Sequence, residues 1–109
     1  MQKGELVGII GPSGSGKTTV VDLIMRLFKP GQGKILLDDQ NIDAINLTQW
    51  RKKVAYVSQD VFLLNGTIAE NIRFYDPAIT TEEIIVACKM ANIYSFINER
   101  QAGLDTVVG

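Results

Sequence analysis

The segment Gly11–Thr18 constrains the fold of this chain more than any other part of its sequence. Its residues, GPSGSGKT, match the pattern G-x-x-x-x-G-K-[ST]. The apolar, β-branched run Leu6–Ile10 precedes it and predicts a buried strand, whereas apolar residues from Lys17 to about Phe28 recur at helical spacing. The dipeptide Pro30-Gly31 would end that helix. The order of strand, glycine-rich turn and helix predicts a loop that binds phosphate groups.

Each part of this loop has a chemical role in holding phosphate. Glycines let the backbone wrap closely so that successive N–H groups point inward, and the following helix presents its positive end to the same anion. We expect Lys17 to reach the β- and γ-phosphates of a nucleotide and the hydroxyl of Thr18 to bind Mg²⁺. The predicted binding residues are Gly11, Ser13, Gly14, Ser15, Gly16, Lys17, Thr18 and Thr19.

The composition excludes several other classes of protein. The 109 residues suffice for one small domain, and 46% hydrophobic against 21% charged residues indicates a globular chain. The absence of histidine excludes any mechanism that needs a histidine base or ligand from this chain alone. A single cysteine, Cys88, excludes an internal disulfide and a cysteine-only zinc site. The net charge of -1 gives no support for nucleic-acid binding, and no apolar run approaches the roughly 20 residues of a membrane helix.

The remainder of the chain alternates between predicted strands and helices. Strands are expected at Lys34–Leu37 and Val54–Val57, and a helix over Thr80–Ala91 begins with a capping box between Thr80 and Glu83. The apolar face of that helix would consist of Ile84, Ala87, Cys88 and Ala91, with Cys88 as a small core residue. Shorter helical segments are expected at Leu47–Lys52, Gly66–Asn71 and Ile93–Arg100, with Gly103 as a stop. Three strands separated by helices predict a parallel α/β core.

The acidic pair Asp38-Asp39 admits two interpretations. An apolar strand that ends in an acid is typical of a Walker B segment, whose carboxylate holds Mg²⁺ through water. The alternative is a polar turn over Asp38–Asn41, since Asp and Asn are common in turns. We favour the turn, because the apolar run before it is only Ile35–Leu37 and a buried central strand is more continuously apolar.

Beyond the phosphate loop, the sequence resembles the ATPase domain of ABC transporters. The segments Val54–Asp60 (VAYVSQD) and Phe62–Ile72 (FLLNGTIAENI) resemble the Q-loop region of that family, and NGTIAENI is most similar to its exporter branch. The same family pattern is followed by Gly33–Asp38, by Leu47–Val57 and by the end of the chain, Gly103–Gly109. The resemblance implies a P-loop NTPase fold, an α/β core with a RecA-like parallel sheet that is incomplete here, and the start of the helical subdomain.

The family pattern divides residues 1–109 into four parts of a partial ABC ATPase domain. The P-loop strand and helix occupy about 5–29, a β and turn region 33–46, the Q-loop strand and loop 53–66, and the start of the helical subdomain 67–109. Within this pattern Gln59 is the Q-loop glutamine, which would contact Mg²⁺ or the attacking water and report the nucleotide state to a membrane domain. Phe62–Leu64 would lie near the coupling helix of that domain.

The resemblance also implies what the parent protein does. An exporter of this family couples ATP binding and hydrolysis to the movement of a solute across a membrane, with the ATPase domain on the cytoplasmic side. ATP and Mg²⁺ are sandwiched between two such domains, so a second ATPase domain and the transmembrane domains are the expected partners. By this resemblance Lys17 and Gln59 are the catalytic residues, and Thr18 and Gln59 are the metal ligands.

The chain also departs from the family pattern. It stops where the pattern would next give the LSGGQ signature, and the Walker B acid, the catalytic glutamate and the switch histidine lie beyond that point. We therefore expect the isolated chain to bind nucleotide weakly and not to hydrolyse it. With central strands of the family missing, we expect Leu6–Ile10 either to pair directly with Val54–Val57 or to exchange strands with another chain.

Two other functions remain open at this point. The first is a small self-contained P-loop kinase or phosphotransferase that uses Asp38 or Asp39 as its acid, although the arginines that would form its lid are scattered along the chain. The second is a non-catalytic module that binds nucleotide or only a partner chain.

Overall fold

The computed structural model describes residues 1–109, which form two compact units, Met1–Val57 and Ser58–Gly109. The first unit contains helix α1 (Lys17–Ile24), strands β1 (Leu36–Leu37) and β2 (Gln40–Asn41), a 3₁₀ turn (Ile42–Ala44) and helix α2 (Leu47–Lys53). The second contains strand β3 (Gly66–Thr67), helices α3 (Ile68–Arg73), α4 (Thr81–Met90) and α5 (Tyr94–Asn98), a 3₁₀ turn (Gly103–Asp105) and strand β4 (Val107–Val108). No helix is both long and apolar enough to span a membrane.

Helix α1 is shorter than its apolar pattern predicts. It ends at Ile24 rather than near Phe28, because Arg26 takes a left-handed conformation with φ 58° that stops the helical hydrogen bonding. The guanidinium of Arg26 donates a 2.6 Å hydrogen bond to the carbonyl of Ile45. The indole N–H of Trp50 donates a 2.9 Å bond to the carbonyl of Ile24. These two side chains tie the carboxyl end of α1 to the segment around α2.

Strands β1 and β2 form an antiparallel hairpin, with Leu36 opposite Asn41 and Leu37 opposite Gln40. The two residues between the strands, Asp38 and Asp39, have φ values of 48° and 63°. A two-residue hairpin turn with both φ values positive favours Asn, Asp and Gly, because their side chains tolerate the left-handed region. The polar turn predicted over Asp38–Asn41 is therefore confirmed, except that Gln40 and Asn41 also pair as a strand.

The predicted strands Leu6–Ile10 and Val54–Val57 have no strand partner in the structure. They do not pair with each other, so the prediction of direct pairing is wrong, and both sheets of the chain are two-stranded and antiparallel rather than parallel. The physical reason is that an apolar, β-branched run specifies a strand only where another strand lies alongside to complete its hydrogen bonds. Leu6, Ile10 and Val57 are 100%, 96% and 94% exposed.

The core of the second unit lies between α3, α4 and α5. Its buried residues are Ala69, Ile84, Cys88 and Ile97. Ile84 and Cys88 lie one turn apart on α4, and both are almost completely buried. Ala87 and Ala91, which the sequence also placed on this face, are exposed, so α4 buries a narrower stripe than predicted.

Two capping boxes begin helices of the second unit. Thr80 accepts from the backbone N–H of Glu83 while Glu83 accepts from that of Thr80, which confirms the predicted box. The same reciprocal arrangement joins Thr67 and Glu70 at the start of α3. Each box satisfies backbone N–H groups that the first turn of a helix leaves without partners.

The end of the chain forms a strand that the sequence analysis missed. In β4, Val108 lies opposite Gly66 and Val107 lies opposite Thr67. The backbone N–H of Ile68 extends this contact with a 2.9 Å bond to the carbonyl of Thr106. The start of α3 is therefore held to the last residues of the chain.

Candidate phosphate-binding site

The predicted phosphate loop turns into helix α1 at Gly16. This residue is the N-cap of the helix and has φ 93°, a left-handed conformation that glycine adopts without steric cost. No side chain caps α1, and its first turn contains no acidic residue. The positive end of the helix therefore carries no carboxylate in its first turn and no side-chain cap, which is the arrangement that suits an anion.

The ammonium of Lys17 bends back over the loop. It donates hydrogen bonds to the carbonyls of Gly11 and Pro12, the latter at 2.8 Å, and lies 3.4 Å from the hydroxyl oxygen of Ser15. The N–H of Ser15 donates to the carbonyl of Pro12 at 3.2 Å, which closes the turn. A Cβ atom on Gly11 would approach the Ser15 hydroxyl to 2.7 Å. The loop is thus compact, and bonds to two of its carbonyl groups hold the Lys17 ammonium against it.

The other predicted residues of the loop are exposed. Ser13, Thr18 and Thr19 present hydroxyl groups to solvent, with Thr18 in the first turn of α1. A hydroxyl oxygen is a suitable ligand for Mg²⁺, which binds through a few protein oxygens together with water and substrate phosphates. No group of His, Cys, Asp or Glu residues in the chain is arranged to hold a metal ion by itself. The residues present therefore fit a magnesium ion that is bound together with a nucleotide.

The acidic pair considered as a Walker B segment lies in the hairpin turn between β1 and β2. Asp38 and Asp39 are exposed, and both use the left-handed backbone that the turn requires. Their place at the tip of a two-stranded hairpin agrees with the turn interpretation and gives no support to a metal-binding carboxylate at the end of a central strand.

Gln59 lies in the second unit, whereas the phosphate loop lies in the first. It is exposed and sits in a bend where the hydroxyl of Ser58 donates a 2.7 Å bond to the carbonyl of Asp60. The apolar segment Val61–Leu63, which follows Asp60, is exposed. Asn71 is not among the predicted site residues, although it stands in the segment Phe62–Ile72, and its side chain binds the backbone at Leu64 and Thr67.

Exposed aromatic residues surround this apolar segment. The rings of Phe62 and Phe74 meet edge to face with centroids 6.4 Å apart, and Tyr75 packs edge to face on Phe74 at 5.4 Å. Phe74 and Tyr75 both have left-handed backbones, with φ values of 43° and 67°. Such a conformation is uncommon for bulky residues, and it turns both rings outward at the end of α3.

The glycine-rich turn, the helix that follows it without a side-chain cap, and the lysine at its mouth define a P-loop protein, the class that binds nucleoside phosphates. The sequence model of the ABC transporter family matches residues 1–106, and the chain belongs to this family. The predicted membership of this family is confirmed.

The chain is similar to segments of longer proteins whose names describe ABC transporters or a flippase. A Mycoplasma pneumoniae protein described as an ABC transporter ATP-binding protein is 44% identical over 108 residues, which are 99% of this chain and 17% of that protein. A fatty acid ABC transporter ATP-binding/permease protein of Mycobacterium tuberculosis is 42% identical over 98% of this chain and 17% of its own length. An ATP-dependent lipid A-core flippase of Colwellia psychrerythraea is 42% identical over 97% of this chain and 18% of its own length.

A solved structure of a bacterial Atm1-family ABC exporter with ATP bound is also similar. It matches 90% of this chain with a TM-score of 0.78 and 39% sequence identity, and the match covers 17% of that exporter chain. The chain thus spans less than a fifth of the length of the proteins it resembles.

Proposed function

We propose that this chain is the part of an ABC exporter that binds ATP with Mg²⁺, and that it helps to couple ATP binding and hydrolysis to the movement of a solute across a membrane. The observation that carries the proposal is the position of the Lys17 ammonium, held by the carbonyls of Gly11 and Pro12 beside a helix start that no side chain caps. Membership of the ABC transporter family supports it.

In this function, different residues of the loop would bind the phosphates and the magnesium ion. The backbone from Gly14 to Thr19 would surround the phosphates, and the Lys17 ammonium would exchange its carbonyl partners for oxygens of the β- and γ-phosphates. The hydroxyl of Thr18 would be the protein ligand of Mg²⁺. The metal ion supplies positive charge that offsets the charge of the phosphates.

Gln59 would connect the nucleotide to the rest of the transporter. It is exposed in a bend that belongs to no helix or strand, so its side chain is free to follow a bound ligand. In this role it would contact Mg²⁺ or the attacking water, and the exposed residues Phe62 and Phe74 would meet a membrane domain. A cluster of exposed aromatic side chains is typical of a surface that another protein covers.

The expected partners are a second ATPase domain and the transmembrane domains of the exporter, on the cytoplasmic side of a membrane. The names of two relatives, an ATP-binding/permease protein and a flippase, support a parent protein with a membrane part. Family membership argues against a self-contained kinase, and the exposed hairpin position of Asp38 and Asp39 gives that alternative no support.

The test is a titration of the chain with MgATP. Lys17→Ala removes the ammonium that would bind phosphate, so we expect the affinity for ATP to fall by at least about tenfold, as for loss of a charge-assisted contact of ~1.5–3 kcal/mol. Lys29→Ala is the matched control, because Lys29 is an exposed lysine of the same unit. Equal affinities of the Lys17→Ala and Lys29→Ala variants would contradict the proposal.

A further inference from the structure

The side chain of Asn71 binds the loop that begins at Gln59. Its Oδ1 accepts a 2.7 Å hydrogen bond from the backbone N–H of Leu64, and its Nδ2 donates to the carbonyl of Leu64 at 3.0 Å. The same Nδ2 donates to the carbonyl of Thr67 at 2.9 Å. A single half-buried carboxamide therefore satisfies both backbone groups of Leu64, as a neighbouring strand would in a sheet.

The chain on the far side of Leu64 is firmly held. Gly66 and Thr67 pair with Val107 and Val108, and the capping box of Thr67 begins α3. On the near side, Ser58–Leu63 belongs to no helix or strand and is exposed throughout. Leu64 thus lies between the irregular segment Ser58–Leu63 and the paired strand Gly66–Thr67, and the side chain of Asn71 bonds to its backbone.

The same short helix contacts the loop at a second place. Phe74, at the carboxyl end of α3, meets the ring of Phe62 edge to face. Asn71 lies within α3, and Phe74 follows the last residue of that helix, Arg73, as its C-cap. Helix α3 and its C-cap therefore contact the loop twice, through the hydrogen bonds of Asn71 to Leu64 and through the ring contact of Phe74 with Phe62.

We propose that Asn71 is a positioning residue, which fixes the end of the loop that carries Gln59 and so limits the positions that the Gln59 side chain can take. This inference rests on the proposed function of Gln59. Asn71 touches neither nucleotide nor metal in this role. It acts through the backbone of Leu64, and its loss lets the loop and the Phe62 ring move without altering the phosphate loop.

The test uses the complete transporter polypeptide that carries this chain, with its ATPase activity measured against MgATP concentration. In Asn71→Ala we expect kcat to fall about tenfold, because small displacements of a group that orients reactants are costly. The KM for MgATP should not change, since the phosphate loop is intact. The backbone hydrogen of Leu64 should exchange faster, while peptides that cover Ile84 and Cys88 should exchange at an unchanged rate. Asn65→Ala is the matched control, because Asn65 is an exposed asparagine of the same loop region.

Asn71→Asp serves as the second variant. Its carboxylate keeps the acceptor for the Leu64 N–H but loses both bonds to carbonyl oxygens, so we expect a lower kcat at unchanged KM with the Leu64 amide still protected. This variant decides the question if Asn71→Ala fails to fold.

Three results would be decisive against one or the other proposal. A kcat of the Asn71 variants equal to that of Asn65→Ala would overturn the positioning role. A raised KM together with faster exchange throughout the chain would also overturn it, because Asn71 would then support only the fold. Full ATPase activity in Lys17→Ala would instead contradict the proposed role of the phosphate loop, while the kcat of the Asn71 variants would still decide the positioning role.

Discussion

The indole N–H of Trp50 donates a 2.9 Å hydrogen bond to the carbonyl of Ile24, the last residue of the helix that begins at the phosphate loop. The two residues are 26 positions apart in the chain. The carbonyl groups in the last turn of a helix lack partners within the helix, so this bond satisfies one of them. It holds the far end of α1 while the near end faces the phosphate site.

Replacing Trp50 by phenylalanine keeps an aromatic ring but removes that bond. We expect Trp50→Phe to lower the free energy of unfolding by about 1–2 kcal/mol, since a half-buried carbonyl loses its partner. Urea denaturation followed by circular dichroism measures the change. Tyr56→Phe is the control, because Tyr56 is exposed and the loss of its hydroxyl should cost less than about 0.5 kcal/mol. Equal losses in both variants would contradict the role given to the indole bond.

The thiol of Cys88 should be unreactive in the folded chain. Burial raises the pKa of this thiol above its ordinary value of 9.0, because the thiolate would lose its hydration. We expect a thiol reagent at about pH 8 to label Cys88 slowly in buffer and rapidly in urea, since only the thiolate reacts. Equal rates in the two conditions would show that the core around Ile84 and Cys88 opens readily.

The same shift in pKa has a consequence for stability. Above about pH 9 the unfolded chain releases the Cys88 proton while the folded chain retains it, so the contribution of this group is present below that pH and is lost as the pH rises. We expect Cys88→Ala to be destabilised by its smaller side chain but to show a weaker loss of stability between about pH 8 and pH 10. Denaturation midpoints at the two pH values measure the difference. An unchanged pH dependence in Cys88→Ala would contradict the assignment.

The isolated chain should not hydrolyse ATP. Phosphoryl transfer requires an acidic residue for Mg²⁺, a group that orients water and positive charge at the γ-phosphate, and Lys17 supplies only the last. Asp38 and Asp39 stand in a hairpin turn, and no residues of the chain group together as a metal site. Phosphate release from MgATP should therefore equal the background and equal that of Lys17→Ala. A rate above background that Lys17→Ala abolishes would contradict this prediction.

The apolar segments without strand partners should make the isolated chain associate. Leu6–Ile10 and Val54–Val57 expose apolar side chains and unpaired backbone groups, and such segments recruit other strands. We expect light scattering to show dimers or larger species whose proportion rises with concentration. Ile10→Lys and Val57→Lys place a charge on each segment and should shift the distribution toward the monomer. A stable monomer at all concentrations would rule this out.

Local sequence chemistry predicted several features of the structure correctly. The loop at Gly11–Thr18 and the capping box at Thr80 depend on residues within a few positions of each other. The turn at Asp38 and Asp39 likewise follows from side chains that tolerate left-handed backbone. The family itself was recognised from short motifs, which the match over residues 1–106 confirmed.

Contacts between distant parts of the chain could not be predicted in this way. The pairing of Gly66 with Val108 joins residues on either side of three helices, and neither segment has a strong strand pattern. The early end of α1, at the left-handed backbone of Arg26, was not predicted, and the apolar face of α4 is narrower than its sequence pattern.

By itself, the sequence determined the glycine-rich turn before α1, the hairpin turn and the start of the helix at Thr80, because backbone conformation there follows from neighbouring side chains. Only the tertiary structure decided which apolar segments became strands and which side chain holds the loop after Gln59. A strand forms only where a neighbouring strand completes its hydrogen bonds. Val107–Val108 has such a neighbour, whereas Leu6–Ile10 has none. The bonds of Asn71 to Leu64 likewise appear only once α3 has folded against its loop.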